Sequence, residues 1–427
     1  MGGAVGETGG GRPAGSVVGG WPIGLILFFT LLHLINHVDR HLVASFAPHI
    51  VADLELSRSQ FGLITGLAFS LVYAVMAVGS GLLADRLGRV RVLTAGVGSW
   101  SLFTAACGLA TGFWSLLAMR PFVAAGEATL VPTASTIILG RTTEQRRATA
   151  IGIFFMGIPL GVGCSYLLAA WLGPMIGWRN GFFLMGGLGV LATLAVMRVR
   201  DVAPVAKGEA APVRDQLARL RAAWRDNARY RNASIAVVLV HAHMATGAFT
   251  QLWLVADKGI AEARAASLYG LLFILFGSLG AAGSGALTDW LRRRFGMDHA
   301  RSLAILLAVL APLILAYRFA PAGSPLMLAG MVASILWFTA AYAPCFSVIE
   351  AELPTDLKAT ATGLNMLLIN VLMMGGLAAL IGLASDRLEM AHVAHSWTWP
   401  LVAADLLAMT AVLALLACGT GSGNKTR

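Results

Sequence analysis

Apolar runs long enough to cross a membrane recur along almost the whole chain. They cover residues 22–47, 59–84, 92–111, 115–139, 148–172, 178–197, 232–254, 266–288, 302–318, 324–350, 360–384 and 397–418. Crossing a hydrocarbon core takes roughly 20 helical residues. Inside lipid every backbone polar group must be satisfied internally, which leaves only helices and closed barrels. Barrel strands alternate apolar and polar residues, and these runs do not. The chain is therefore expected to be an all-α membrane protein with twelve transmembrane helices. Its charged fraction of 12%, about half that of a soluble domain, agrees.

A formal net charge of +10 would suggest nucleic acid on a soluble protein, but its distribution argues otherwise. Basic residues cluster in alternate connections between apolar runs: Arg86, Arg89 and Arg91; Arg141, Arg146 and Arg147; Arg292, Arg293 and Arg294. A longer basic segment holds Arg198, Arg200, Arg219, Arg221, Arg225, Arg229 and Arg231. This is the positive-inside pattern. It predicts a multi-pass protein of the inner (plasma) membrane with both termini cytoplasmic, partnered by the lipid bilayer and not by nucleic acid. Cys107, Cys164, Cys345 and Cys418 lie in or beside apolar runs and read as small core residues. The first run exceeds signal-peptide length and the chain keeps recrossing, so no cleaved signal is expected.

The organisation expected is a Gly-rich disordered tail over 1–20, a first six-helix bundle over 21–197 and a cytoplasmic linker over 198–231. A second six-helix bundle over 232–418 and a short tail over 419–427 follow. Residues 214–231 have helical spacing that would suit an anionic membrane surface; a solvated linker is the simpler reading. The halves repeat. Gly81-Leu-Leu-Ala-Asp85-Arg86-Leu87-Gly88-Arg89 corresponds to Gly285-Ala-Leu-Thr-Asp289-Trp290-Leu291-Arg292-Arg293, and Arg147-Ala-Thr-Ala-Ile-Gly152 to Lys358-Ala-Thr-Ala-Thr-Gly363. Two pseudo-symmetric bundles are thus expected, as in alternating-access transporters.

The stretch from Gly81 to Arg91 resembles the signature loop of the major facilitator superfamily. Gly81 would let two helices approach, and Asp85 would take an arginine or a helix N-terminus as partner. Gly81, Asp85, Arg86, Arg89 and Asp289 are accordingly expected to form a conformational latch. Further resemblance lies in Asn36-His37-Val38-Asp39-Arg40, in Arg120-Pro-Phe-Val-Ala-Ala-Gly126-Glu127-Ala128 and in Ile158-Pro159-Leu160-Gly161-Val162-Gly163, followed by Gly177-Trp178-Arg179. Gly247, Trp253 and Gly382-Leu-Ala-Ser-Asp386-Arg387 fit more weakly. Together these look like the bacterial form of the spinster branch, although the Asp-Arg and Arg-to-Glu motifs also occur among organic-anion symporters. The resemblance implies movement of lysophospholipids or sphingoid phosphates, with proton coupling at the aspartate and glutamate positions.

Physics points to the same residues. A charge near the bilayer centre costs several kcal/mol and is a functional hypothesis by default. Asp39 lies near the middle of the first span, and Arg120 and Glu127 lie about two turns apart on one face of the fourth. Desolvation and neighbouring guanidinium groups act on such carboxylates in opposite senses, which suits Asp39 and Glu127 as proton-coupling residues. Arg40 or Arg120 can fork onto a phosphate or carboxylate. A permanent Arg120–Glu127 pair that only joins helices is the structural alternative. Asn36, His37, Asn365, Asn370 and Gln251 are further substrate-binding candidates. His33, His37 and His41 recur every four residues, a spacing that can bind metal, but cavity-lining or relay roles are preferred. His241 and His243, two apart, face different sides. Trp100, Trp114, Trp171, Trp178 and Trp397 fit interfacial belts.

With no Walker loop, dinucleotide fingerprint or nucleophile elbow in context, neither enzyme activity nor a cofactor is expected. The resulting expectation is a monomeric, proton-coupled secondary transporter for an amphiphilic anionic lipid. Small organic-anion symport and multidrug efflux are the alternatives, and a non-transporting scaffold would have no need of Asp39 and Glu127.

Overall fold

The computed structural model describes residues 22–201 and 213–419; the expected tail 1–20, residues 420–427 and the linker segment 202–212 lie outside them. Ten apolar helices cross singly: α1 (Ile23–Ser45), α2 (Arg58–Leu87), α3 (Arg89–Cys107), α4 (Phe113–Arg141), α7 (Ala228–Ala256), α8 (Glu262–Phe295), α9 (His299–Phe319), α10 (Pro325–Glu350), α11 (Asp356–Met390) and α12 (Thr398–Cys418). An eleventh, Glu144–Val196, runs for 53 residues. At about 1.5 Å per residue it would span roughly 80 Å, far more than one bilayer core. It breaks at Gly177, whose φ of 74° lies outside helical space. A left-handed φ is cheap only for glycine, so the chain turns there into α5 (144–176) and α6 (178–196). The twelve expected crossings are present, and no strand occurs among the described residues.

The two halves pack alike. α3 lies on α4 and α6 in the first half, and α9 on α10 and α12 in the second; α1 packs on α5 as α7 does on α11. Outward faces are apolar: Leu31, Val78, Leu102, Leu191, Leu279 and Leu413 are all exposed, a surface that only lipid solvates well. Of the tryptophans expected at the interfaces, Trp114 and Trp171 are exposed. Trp100, Trp178 and Trp397 are instead buried, packed against neighbouring elements. The Trp100 backbone abuts Gly126 of α4. Trp178 donates its indole N–H to Asp53 at 3.0 Å, and Trp397 lies 4.6 Å beneath the Arg58 guanidinium. The linker contains a helix, Val213–Asp226. It docks on the start of α11 through Arg219–Asp356 (2.5 Å) and Thr360–Gln216, with Leu220 buried beneath it.

Contacts between the halves are uneven. On the face opposite the basic connections, Asp386 of α11 accepts the backbone N–H groups of Arg58 and Ser59 at 2.9 and 2.8 Å, capping the first turn of α2. Arg58 reaches back to Glu389 and Ser396, each at 2.6 Å. Deeper in, α5 and α8 touch backbone to backbone, with the Gly163 carbonyl only 2.8 Å from where a Gly270 Cβ would stand. On the basic face, Gly81, Gly152, Gly285 and Gly363 meet open space at the same positions. The four helices that join the halves each contain a wide π-helical stretch: Leu63–Leu67, Leu168–Leu172, Phe273–Gly277 and Ile369–Leu377. Such bulges commonly accompany function. The structure is closed at the non-basic face.

Replacing Asp386 with Ala should weaken this closure by about 1 kcal/mol, the usual worth of a helix N-cap. Spin labels placed across that face should report roughly a fivefold shift toward the open state; an unchanged distance distribution would mean the cap does not hold the halves together.

Candidate functional site

Helix α1 carries two adjacent charges that point to different neighbours, since successive helical residues are about 100° apart. Asp39 turns toward α3, where the Thr104 hydroxyl lies 2.7 and 2.8 Å from its two carboxylate oxygens. Arg40 turns toward α4 and donates from Nε to Glu127 at 2.8 Å. The Arg120–Glu127 pair raised as the structural alternative is not made; Glu127 pairs across helices with Arg40 instead. The local sequence explains how Glu127 gets there. Gly126 and Gly96 let α4 and α3 meet at backbone contact, 2.6 Å from the Gly96 carbonyl to a would-be Gly126 Cβ. α4 also breaks just after Glu127, between Phe113–Glu127 and Leu130–Arg141.

Aromatic rings of α2 complete the cluster. The Arg40 guanidinium lies 4.2 Å from the Tyr73 ring and 5.0 Å from Phe69; Arg120 lies 4.6 Å from the same Phe69. Asp39, Glu127, Arg120 and Asn36 are almost wholly buried. Two cations and two acids thus share a low-dielectric interior within electrostatic range of one another, with a formal balance of zero. Hydrogen bonding is incomplete, however. Among the described residues, Arg40 Nη2, Arg120 Nε and His37 Nδ1 are buried without a hydrogen-bond partner, while Asn36 lies against Glu127. Buried polar atoms are normally paired, so these are free to serve as contacts of a ligand or ordered water.

The remaining expected residues are dispersed. Asn365 is buried and reaches Ser234 of α7 at 3.5 Å, whereas Asn370 bonds its own helix at Met366. Gln251 lies near the closed face, lining a pocket with Ser45, His49 and Glu262, away from the arginines. His33 bonds the Phe154 carbonyl at 3.1 Å and stacks on that ring, and His41 bonds the His37 carbonyl. In the signature loop Asp85 pairs with Arg89 at 3.4 Å, within its own half. Asp289 likewise pairs with Arg292 at 3.1 Å, and Gly81 makes no close approach in this conformation.

A second buried charge cluster lies outside the expected set. Asp405 of α12 accepts from Arg318 Nε of α9 at 2.9 Å and from His243 Nδ1 of α7 at 2.6 Å. Arg318 also lies over Trp253 and Tyr317, at 4.9 and 4.8 Å. The signal is in the sequence: Asp405 is an acid in the middle of the last apolar run.

Residues 29–377 match the Major Facilitator Superfamily profile, and the chain belongs to that family of membrane transporters, which are not enzymes. It is 31% identical over 271 residues to an MFS-type efflux pump of Mycolicibacterium smegmatis, covering 62% of each chain. It is 34% identical over 196 residues to the hexuronate transporter of Bacillus subtilis, covering 44% of this chain and 46% of that one. Protein spinster homolog 1 of Homo sapiens is 32% identical over 178 residues, covering 41% and 34%. The chain thus spans less than two thirds of the length of each of these relatives. Among solved structures, a bacterial homolog of the human lysosomal transporter Spinster, in an inward-facing and occupied conformation, superposes with a TM-score of 0.78. That match covers 93% of this chain and 96% of that one at 22% identity, and shows a shared fold.

Because Glu127 is buried against Arg40, an Arg40→Ala change should destabilise the protein by about 3–5 kcal/mol, the cost of stranding a buried charge. Adding Glu127→Gln should restore much of that loss. Thermal unfolding of the single and double variants in detergent checks this; additive losses would show that the pair is not coupled.

Proposed function

We propose that this transporter couples movement of an anionic amphiphile, such as a lysophospholipid, to protons by alternating access, in the inner membrane with the basic face cytoplasmic. One observation carries the reading: a buried cluster of two arginines and two carboxylates that is charge-balanced yet leaves guanidinium nitrogens of Arg40 and Arg120 unpaired among the described residues. An anion entering such a site competes with Glu127 for Arg40. A buried carboxylate that loses its cation is stable only if it takes up a proton. Anion and proton then bind together, with Glu127 and Asp39 as proton carriers and Arg40 and Arg120 as headgroup ligands. Asn36 and His37 supply further polar contacts there.

The open space beside Gly81, Gly152, Gly285 and Gly363 lies at the basic-face ends of the helix pairs that flank the interface between the halves. This supports lateral entry of an acyl chain. It also leaves Gly81 and Asp85 poised to close on α11 in the opposite conformation, with Arg86, Arg89 and Asp289 as the surrounding latch. The resemblance to the spinster branch implies a lipid. The hexuronate transporter relative favours the second reading, symport of a small organic anion, because the same Arg–carboxylate exchange would serve a free carboxylate. Efflux of drugs, as the name of the mycobacterial relative suggests, has no comparable support in an arginine-rich site.

In proteoliposomes, labelled lysophospholipid should move in response to a pH gradient. Asp39→Asn and Glu127→Gln should each lower the gradient-driven rate about tenfold or more, while Arg120→Lys, which loses the fork, should chiefly raise the apparent KM. Lipid movement that ignores the pH gradient would overturn the coupling. Movement of small carboxylates alone would replace the lipid with the second reading.

A further inference from the structure

The Arg318–Asp405–His243 cluster is not used by the mechanism above, and its geometry is that of a device that changes protonation. His243 and Asp405 are buried, and a carboxylate can only accept, so His243 Nδ1 carries a proton toward Asp405. The other ring nitrogen, Nε2, faces two groups of Ser334 on α10: the hydroxyl at 2.8 Å and the backbone carbonyl at 3.3 Å. A neutral ring accepts at Nε2 from the Ser334 hydroxyl. A protonated ring donates from Nε2 to the same hydroxyl, turned round, or to the carbonyl. Both charge states of His243 are therefore hydrogen-bonded with only the Ser334 hydroxyl turning.

Three further features point the same way. Ser334 is only half-buried, so it connects the buried ring to the accessible side of α10. Arg318 spends only its Nε on Asp405 and leaves Nη1 and Nη2 unpaired among the described residues, so the cluster is not a closed salt bridge. Finally, α7 is irregular at this point: it turns at His241, resumes over Ala242–Ala245 and tightens to a 3-10 turn over Thr246–Phe249. That turn touches the other half of the molecule. The Gly247 carbonyl accepts from Tyr166 of α5 at 3.4 Å, and the Phe249 ring lies 5.9 Å from Phe61 of α2. Thr246 ties the turn back to the His243 carbonyl at 2.7 Å.

We propose that His243 is a second proton-binding site, in the second half of the molecule, loaded through Ser334 and linked by the broken segment of α7 to closure of the non-basic face. The charged and titratable groups around it are Asp405 from α12 and Arg318 and Tyr317 from α9, with Tyr317 beside Ser334. The α11 stretch Ile369–Leu377 packed against it contains none. The site is independent of Asp39 and Glu127.

The test uses the purified full chain in detergent, with proton uptake read after a pH drop. Spin labels at Glu55→Cys and Ala391→Cys, exposed positions on either side of the closed face, read the closure. Because His49 and Glu262 also pair across the halves at 3.0 Å, all samples carry His49→Gln. In this background, His243→Gln is expected to take up about one proton per chain fewer and to lose a pH-dependent step in the label distance. An Asp39→Asn, Glu127→Gln double variant should keep that step. Ser334→Ala keeps the ring and its carboxylate but removes the one donor that the described residues offer the neutral ring, while the carbonyl still serves the protonated one. It should move the step to higher pH, and it decides the matter if His243→Gln does not fold. Uptake and distance profiles that match the unsubstituted chain in both His243→Gln and Ser334→Ala would overturn the proposal, as would an unmoved step in Ser334→Ala when His243→Gln does not fold.

Discussion

Placing four charges inside the first bundle is the constraint around which that half is organised. Each buried ion costs several kcal/mol unless it is paired and hydrogen-bonded. The fold supplies those partners from four different helices. Thr104 of α3 holds Asp39, α1 and α4 exchange the Arg40–Glu127 bond, and α2 lays Phe69 and Tyr73 against the guanidinium groups. The backbone contact of Gly96 with Gly126 brings α3 and α4 close enough to share the load. None of these contacts is strong in isolation, and losing one exposes the cost of the others. The second bundle meets the same cost with Arg318, Asp405 and His243, placed between α7, α9 and α12.

The joint between the halves obeys a simpler chemistry. Gly382-Leu-Ala-Ser-Asp386-Arg387 at the end of α11 repeats the pattern of Gly81-Leu-Leu-Ala-Asp85-Arg86 at the end of α2. In this conformation the α11 copy is engaged: its glycine lies against the Arg58 backbone and its aspartate caps α2. The α2 copy pairs within its own half. An aspartate at a helix N-terminus is a modest interaction, worth about 1 kcal/mol. Such a contact can hold one state without trapping it.

Much of this was legible in the sequence, because hydropathy and the cost of buried charge are both read residue by residue. The twelve spans follow from run length, and Asp39, Arg40, Arg120 and Glu127 stand out as ions in apolar stretches. Partner choice was not legible. Whether Glu127 meets Arg120 on its own helix or Arg40 on another depends on how closely α3 and α4 approach, which is a property of packing. Trp100, Trp178 and Trp397 fit an interfacial pattern but are buried, and an indole packs in either place. Asp405 carried the same signal as Asp39, yet its meaning rests on Arg318 and His243, 87 and 162 residues away in the chain.

In the proposed function an anion and a proton occupy the Arg40–Glu127 site together. Proton exchange on ligand binding tests it most directly: purified protein in weak buffer is mixed with lysophospholipid, and the pH of the solution is followed. Net proton uptake on binding is expected, lost in Glu127→Gln while the ligand still binds. Binding with no proton uptake, or uptake that survives Glu127→Gln together with Asp39→Asn, would contradict it.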